Sequence, residues 1–99
     1  MPLKRLRMLN TTDCLWVYIL RLLKDNPMHA YAIRDQIKKS FGFRSGTVTV
    51  YKVLYLLHKR GLVEKKSSGR QRIYTITKKG KEMLRDAVDF YKQRAKILG

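Results

Sequence analysis

Between residues 44 and 79 the chain places ten basic side chains, Arg44, Lys52, Lys59, Arg60, Lys65, Lys66, Arg70, Arg72, Lys78 and Lys79, against the single acid Glu64. Interleaved with them are hydroxyl and amide groups at Ser45, Thr47, Thr49, Tyr51, Tyr55 and Gln71. Cations neutralise phosphates and release condensed counterions, while hydroxyls and long amines reach the edges of bases. The chemistry this mixture supports is recognition of double-stranded DNA. The candidate contacts are Arg44, Ser45, Thr47, Thr49, Tyr51, Lys52, Tyr55, Lys59, Lys66, Arg70, Gln71 and Arg72. Any one of these lysines reads equally well as solvated surface, and Tyr51 and Tyr55 read equally well as packing at the rim of a core. The order and density of the whole set carry the reading.

The rest of the inventory excludes more than it offers. His29 and His58 have no acid and nucleophile near them in sequence, and no phosphate loop or metal-ligand spacing occurs, so an enzyme and a cofactor are not expected. Cys14 is the single cysteine and sits in an apolar stretch, as a packed thiol does. The 23 Lys and Arg against 7 Asp and Glu give a formal net charge of +16. Self-repulsion on that scale calls for a polyanionic partner. The longest apolar run, from Cys14 to Leu20, stops at Arg21, too short to span a membrane. Residues 1–9 lack the apolar stretch of a secretory signal. A cytoplasmic, nucleoid-associated protein is the expectation.

The elements that must position these side chains follow from periodicity. Thr11 or Thr12 suits a helix N-cap with Asp13 in the first turn, and the helix runs to about Lys24. Its two apolar stripes, Leu15/Ile19/Leu22 and Trp16/Leu20/Leu23, read as too wide for one small core, which points to a partner chain on the second stripe. Pro27 breaks the chain. A second helix over about 29–40 turns Tyr31, Ile33 and Ile37 inward and ends near Gly42. A third, over 47–60, has Val50, Val53, Leu54 and Leu57 at helical spacing and closes at Gly61. A basic hairpin follows over 62–76, with its tip at Ser67 to Arg70. The last helix, 78–98, starts after Thr77 and carries a seam at Leu84, Val88, Tyr91, Ala95 and Leu98 beside a ridge of Met83, Phe90 and Ile97.

The expected fold is mainly α with a small β-hairpin wing: a winged helix-turn-helix over 1–77, with the wing at about 62–76, and a C-terminal dimerisation helix over 78–99 in the same compact unit. Trp16, Leu20, Leu23, Leu84, Val88, Tyr91, Ala95 and Leu98 are the candidate homodimer surface.

Several stretches in this order resemble the PadR family of transcriptional regulators. Asn26-Pro27-Met28-His29-Ala30-Tyr31 is similar to the family's GPMHGYEL stretch. Thr49-Val50-Tyr51 and Gly61-Leu62-Val63 follow. Gly69-Arg70-Gln71-Arg72-Ile73-Tyr74 and Ile76-Thr77-Lys78-Lys79-Gly80 are similar to its GRRRKYYRLTEEG. The chain departs from the family at Ala30 and Val48, where glycine is usual, and at Lys52, where proline is usual. The resemblance implies a winged helix with a C-terminal dimerisation helix, a short tail, and a repressor's role, sometimes answering to a small ligand. The leading expectation is a sequence-specific dimer with helix 47–60 in the major groove and the wing on the backbone. The alternatives are an architectural, weakly specific chromatin-like protein, motivated by the charge, and a protein-docking module. A small aromatic ligand beside Trp16 is a further expectation.

Overall fold

The structure is a computed structural model that describes residues 15–42 and 46–99. The capping residues expected at Thr11 to Asp13, and Cys14, lie outside the described residues. Among the described residues four helices and three strands follow in the order α1 (Leu15–Asp25), β1 (Met28–His29), α2 (Ala30–Phe41), α3 (Thr47–Lys59), β2 (Val63–Ser68), β3 (Gln71–Ile76) and α4 (Lys78–Leu98). This is the winged-helix order expected from the sequence.

The hub is α1. Leu15, Ile19, Leu20, Leu22 and Leu23 are all buried, so both of its apolar stripes are covered within one chain. The width that pointed to a partner is used instead by α2, α3, α4 and β3, which surround the helix. Leu20, Leu23 and, from α4, Leu84 are therefore core residues rather than a free surface, and the expected dimer stripe loses them. Ile33 and Ile37 of α2 and Val50, Leu54 and Leu57 of α3 complete the core. No polar or charged residue is buried with them among the described residues.

The sheet is larger than the hairpin alone. The order is β1-β3-β2, both pairs antiparallel, with Met28 opposite Tyr74 and His29 opposite Ile73. A two-residue strand directly after Pro27 has no alternation to read, so the sequence shows only a break there. The hairpin is tighter than expected: Ser68 pairs with Gln71, leaving Gly69 and Arg70 as a two-residue loop with φ 63 at Gly69.

Where α3 ends, the wing begins and α4 starts, the chain meets itself. Gly61, at φ 75, lets Leu62 N–H reach Leu57 O at 2.9 Å and Gly61 N–H reach His58 O at 3.0 Å, the paired bonds of a Schellman ending. The three carbonyls that follow face the start of α4. Lys79 Nζ donates to Arg60 O at 3.1 Å, Thr77 Oγ1 donates to Gly61 O at 2.7 Å, and Thr77 N–H donates to Leu62 O at 3.1 Å. Thr77 Oγ1 also accepts from Gly80 N at 3.0 Å, capping α4.

The glycine in the first turn of α4 has a steric reason. A Cβ at Gly80 would collide with the Leu62 carbonyl oxygen and stand 2.8 Å from Ile76 Cγ1. Because the obstacle is backbone, it cannot swing aside. Gly80→Ala is expected to destabilise the fold by about 1–3 kcal/mol, the usual cost of overpacking, although alanine is the better helix former. Urea unfolding of the two proteins measures this, and a more stable alanine variant would contradict the packing described.

Candidate nucleic-acid interface

The core stripe Val50, Leu54 and Leu57 fixes which side of α3 meets solvent. Thr47, Val48, Tyr51, Lys52, Tyr55 and Lys59 are exposed, and Thr49 is half-buried. Thr47, Tyr51 and Tyr55 follow one another at i, i+4 and form a row up the outer face. The N-cap is Gly46, which offers no side-chain acceptor, and no acid lies in the first turn. The amino end of α3 thus keeps its positive partial charge uncompensated by its own sequence.

The wing supplies the second half. Lys66, Arg70, Gln71 and Arg72 are exposed on β2, the loop and β3. Two ion pairs, Arg21–Asp25 and Lys39–Asp35, each lie one turn apart within a helix. Lys52, Lys59, Lys66, Arg70 and Arg72 have no acidic partner among the described residues.

A cleft of about 580 Å³ joins the halves. Tyr51 of α3 forms one wall, Arg70, Gln71 and Arg72 of the wing another, and His29, Ala30 and Tyr31 at the start of α2 a third, with Tyr74 among the residues lining it. Four of the sequence-expected contacts are brought together here: Tyr51, Arg70, Gln71 and Arg72. A shallow depression beside it, lined by Tyr31, Arg34, Thr47 and Tyr51, marks where the starts of α2 and α3 meet. Lys52, Tyr55 and Lys66 do not line the cleft. Lys59 lies two helical turns beyond Tyr51, about 12 Å along the axis, on the rim of a different cleft. Arg44 and Ser45 lie outside the described residues.

Four cleft residues, His29, Ala30, Tyr31 and Tyr74, were not in the sequence-derived set. Tyr31, expected to face inward, is 71% exposed. Its spacing of two from Ile33 puts it on the opposite side of the helix from the core pair Ile33/Ile37, a signal legible in the sequence. His29 reaches the cleft because its side chain caps α2, Nδ1 accepting from Ala32 N at 3.2 Å. Tyr74 is 6% exposed, and burial pushes its phenol above the ordinary 10.0, with Arg72 opposing and Tyr51 reinforcing the shift.

The second cleft, about 620 Å³, lies between α1, α3 and α4, and Trp16, Val53, Leu56, Leu57, Leu62 and Met83 give it an apolar lining. Beyond Ala87 the residues of α4 are exposed. Val88, Phe90, Tyr91, Ile97 and Leu98 form a projecting apolar surface, with the Arg94 guanidinium 5.1 Å from the Phe90 ring centroid. No described helix is long and apolar enough to cross a membrane.

Residues 19–86 match the pattern of the PadR-like family of transcriptional regulators. The chain belongs to that family. PadR-like proteins are transcription regulators, not enzymes. The fold is that of a PadR family regulator from Eggerthella lenta, with a TM-score of 0.82 at 20% identity over 98% of this chain and 88% of that one. A transcriptional regulator from Thermoplasma acidophilum shares 27% identity with a TM-score of 0.77, covering 88% of this chain and 87% of that one. Bacillus subtilis PadR, solved in complex with operator DNA, shares 26% identity with a TM-score of 0.66, over 76% of this PadR-like chain and 47% of that protein. An uncharacterised 37.1 kDa transposon protein of Streptomyces fradiae is 37% identical over 67 residues, 67% of this chain; the chain spans about a fifth of that relative, 19%.

The raised Tyr74 pKa has a thermodynamic consequence. The folded state holds the phenolic proton more tightly than the unfolded state, so this contribution to stability is complete below 10.0 and is lost as pH rises from there through the folded value. Denaturant midpoints measured at about pH 9 and about pH 11 should fall less in Tyr74→Phe than in the unaltered PadR-like chain. An equal fall in both would contradict the shift.

Proposed function

We propose that this PadR-like chain is a sequence-specific, dimeric DNA-binding regulator acting as a repressor, with α3 in the major groove and the wing on the flanking backbone. The observation that carries the reading is the cleft in which Tyr51 of α3 meets Arg70, Gln71 and Arg72 of the wing. One docking pose can serve both: the row Thr47, Tyr51, Tyr55 with Lys52 offers hydroxyls and an amine to base edges, while the arginines neutralise phosphates. The operator-bound relative from B. subtilis supports the same partner. Lys59, at the far end of α3, serves the backbone rather than the bases, since the N-terminal part of a recognition helix is the part that contacts base edges. Repression then follows from occupancy: a protein seated over promoter DNA excludes polymerase.

The dimer reading now rests on α4 beyond its first turns. Val88, Tyr91, Ala95 and Leu98 of the expected seam are all exposed, and so is the neighbouring Phe90 and Ile97 ridge. Exposed apolar side chains gathered on one helix of a chain this small favour a protein interface. Trp16, half-buried in the second cleft, stays in reach of such a partner and of a small aromatic ligand. The net charge of +16 favours a second reading, an architectural protein with weak sequence preference.

Two measurements test these readings. Titration of selected and random duplexes at several salt concentrations should give a steep loss of affinity with salt. The joint variant Arg70→Gln with Arg72→Gln should reduce the slope of log K against log salt by about 2. A preference of about a thousandfold for selected over random duplex supports sequence reading, whereas a ratio near one supports the architectural role. Val88→Asp, a change at a solvent-facing position, should leave the fold intact and shift the sedimentation mass from two chains to one. A Val88→Asp protein that sediments like the unaltered chain would refute α4 as the dimer surface.

A further inference from the structure

The cleft between the wing and the start of α2 has a lining of unusual one-sidedness. His29, Tyr31, Tyr51, Arg70, Arg72 and Tyr74 are all able to donate hydrogen bonds, and no carboxylate is among the lining residues. Two details give the set a direction. The first is His29: because Nδ1 accepts from Ala32 N at 3.2 Å, the proton of the neutral ring is carried by Nε2. The cap thus fixes this imidazole as a donor at the wall of the cleft.

The second is Tyr74. The residue is 6% exposed, yet no hydrogen bond joins its hydroxyl to another described residue. Among the described residues no side-chain oxygen is sealed from solvent without a partner. The small accessible remainder of Tyr74 therefore includes its hydroxyl, and the cleft is what it lines. Buried tyrosines ordinarily find a partner for the O–H; here the ring is buried while the hydroxyl opens to the cleft without a protein partner, available to an acceptor that enters there.

We infer that this cleft is a phosphate-binding site in which the Tyr74 hydroxyl and the Nε2–H of His29 donate to phosphate oxygens and Arg70 and Arg72 neutralise their charge. The inference rests on the DNA-binding reading for its favoured source, a backbone phosphodiester, and extends that reading to two uncharged donors no basic-residue pattern can reveal. A free phosphorylated small molecule presents the same oxygens. A phenol is protonated throughout the neutral range in any case, and burial raises that of Tyr74 further above 10.0.

Tyr74→Phe is the discriminating variant, because it keeps the buried ring and deletes only the hydroxyl. With a random-sequence duplex pool the variant should bind about tenfold more weakly than the unaltered chain. Its salt slope should be unchanged, since an uncharged donor releases no counterion. The unfolding midpoint should stay level or rise, because the deleted hydroxyl has no partner in the free protein. His29→Asn, whose amide oxygen retains the cap while the ring N–H is gone, should reproduce the loss and serves if Tyr74→Phe proves unstable. In parallel, AMP and inorganic phosphate are titrated calorimetrically into the DNA-free chain.

Loss of duplex affinity assigns the site to the DNA backbone. Unaltered duplex affinity with AMP or phosphate binding that vanishes in Tyr74→Phe assigns it to a free phosphate. Variants that match the unaltered chain in both titrations overturn the proposal while leaving DNA binding intact. Failure of the unaltered chain to bind duplex would instead refute the DNA reading, and the AMP and phosphate arm would still decide the cleft.

Discussion

Three consecutive carbonyls, those of Arg60, Gly61 and Leu62, hold the architecture together. Each accepts from the stretch Thr77–Lys79 sixteen or so residues later, by a hydroxyl, an amide or an ammonium. The carbonyls left over at the end of a helix need partners in any case. Here the partners come from the root of the next helix, so the end of α3, both strands of the wing and the beginning of α4 share one anchorage. The hairpin cannot drift relative to the helix face it works beside. Tyr51 and Arg72 line one cleft, and these ties join the elements that carry them.

Charge concentrates where that anchorage aims it. Two of the described acids pair within α1 and α2, Asp25 with Arg21 and Asp35 with Lys39, and α3 and the wing carry Glu64 alone against their cations. Such a surface weakens the free protein through repulsion and gains most from a polyanion. The design separates stability from recognition: the core is purely aliphatic apart from the Tyr74 ring, and the polar groups that matter to a partner are nearly all held at the surface.

The sequence made much of this legible, and the exceptions have common causes. The third and fourth helices were bounded to within a residue because Val50/Leu54/Leu57 and the Thr77 cap mark them sharply. The wing was expected from its alternation and turn residues, though not the two-residue tightness of its tip. What escaped was non-local. The strand at Met28–His29 exists only because β3 lies beside it, and no period can announce a two-residue segment. Leu20 and Leu23 pointed to a second chain because sequence alone does not reveal that four elements surround α1. Of the binding surface, the cations were legible from composition. His29 and Tyr74 were not, since one earns its orientation from a helix cap and the other from a strand pairing. The placements of Arg44 and Ser45 remain expectations from the sequence.

The glycine at position 80 also sets a lever. From that contact the 21-residue α4 continues to Leu98 with no proline or further glycine before Gly99, a rod of about 28 Å. A tilt of ten degrees at its root would carry the far end through about 5 Å, more than the 3.4 Å rise between neighbouring base pairs. In an assembly joined along that rod, the distance between two reading heads is therefore tuned at the hinge rather than at the heads themselves. Substitutions around Leu62, Ile76 and Gly80 are then a route by which such a protein can change the spacing of the sites it prefers while every side chain facing the DNA stays the same.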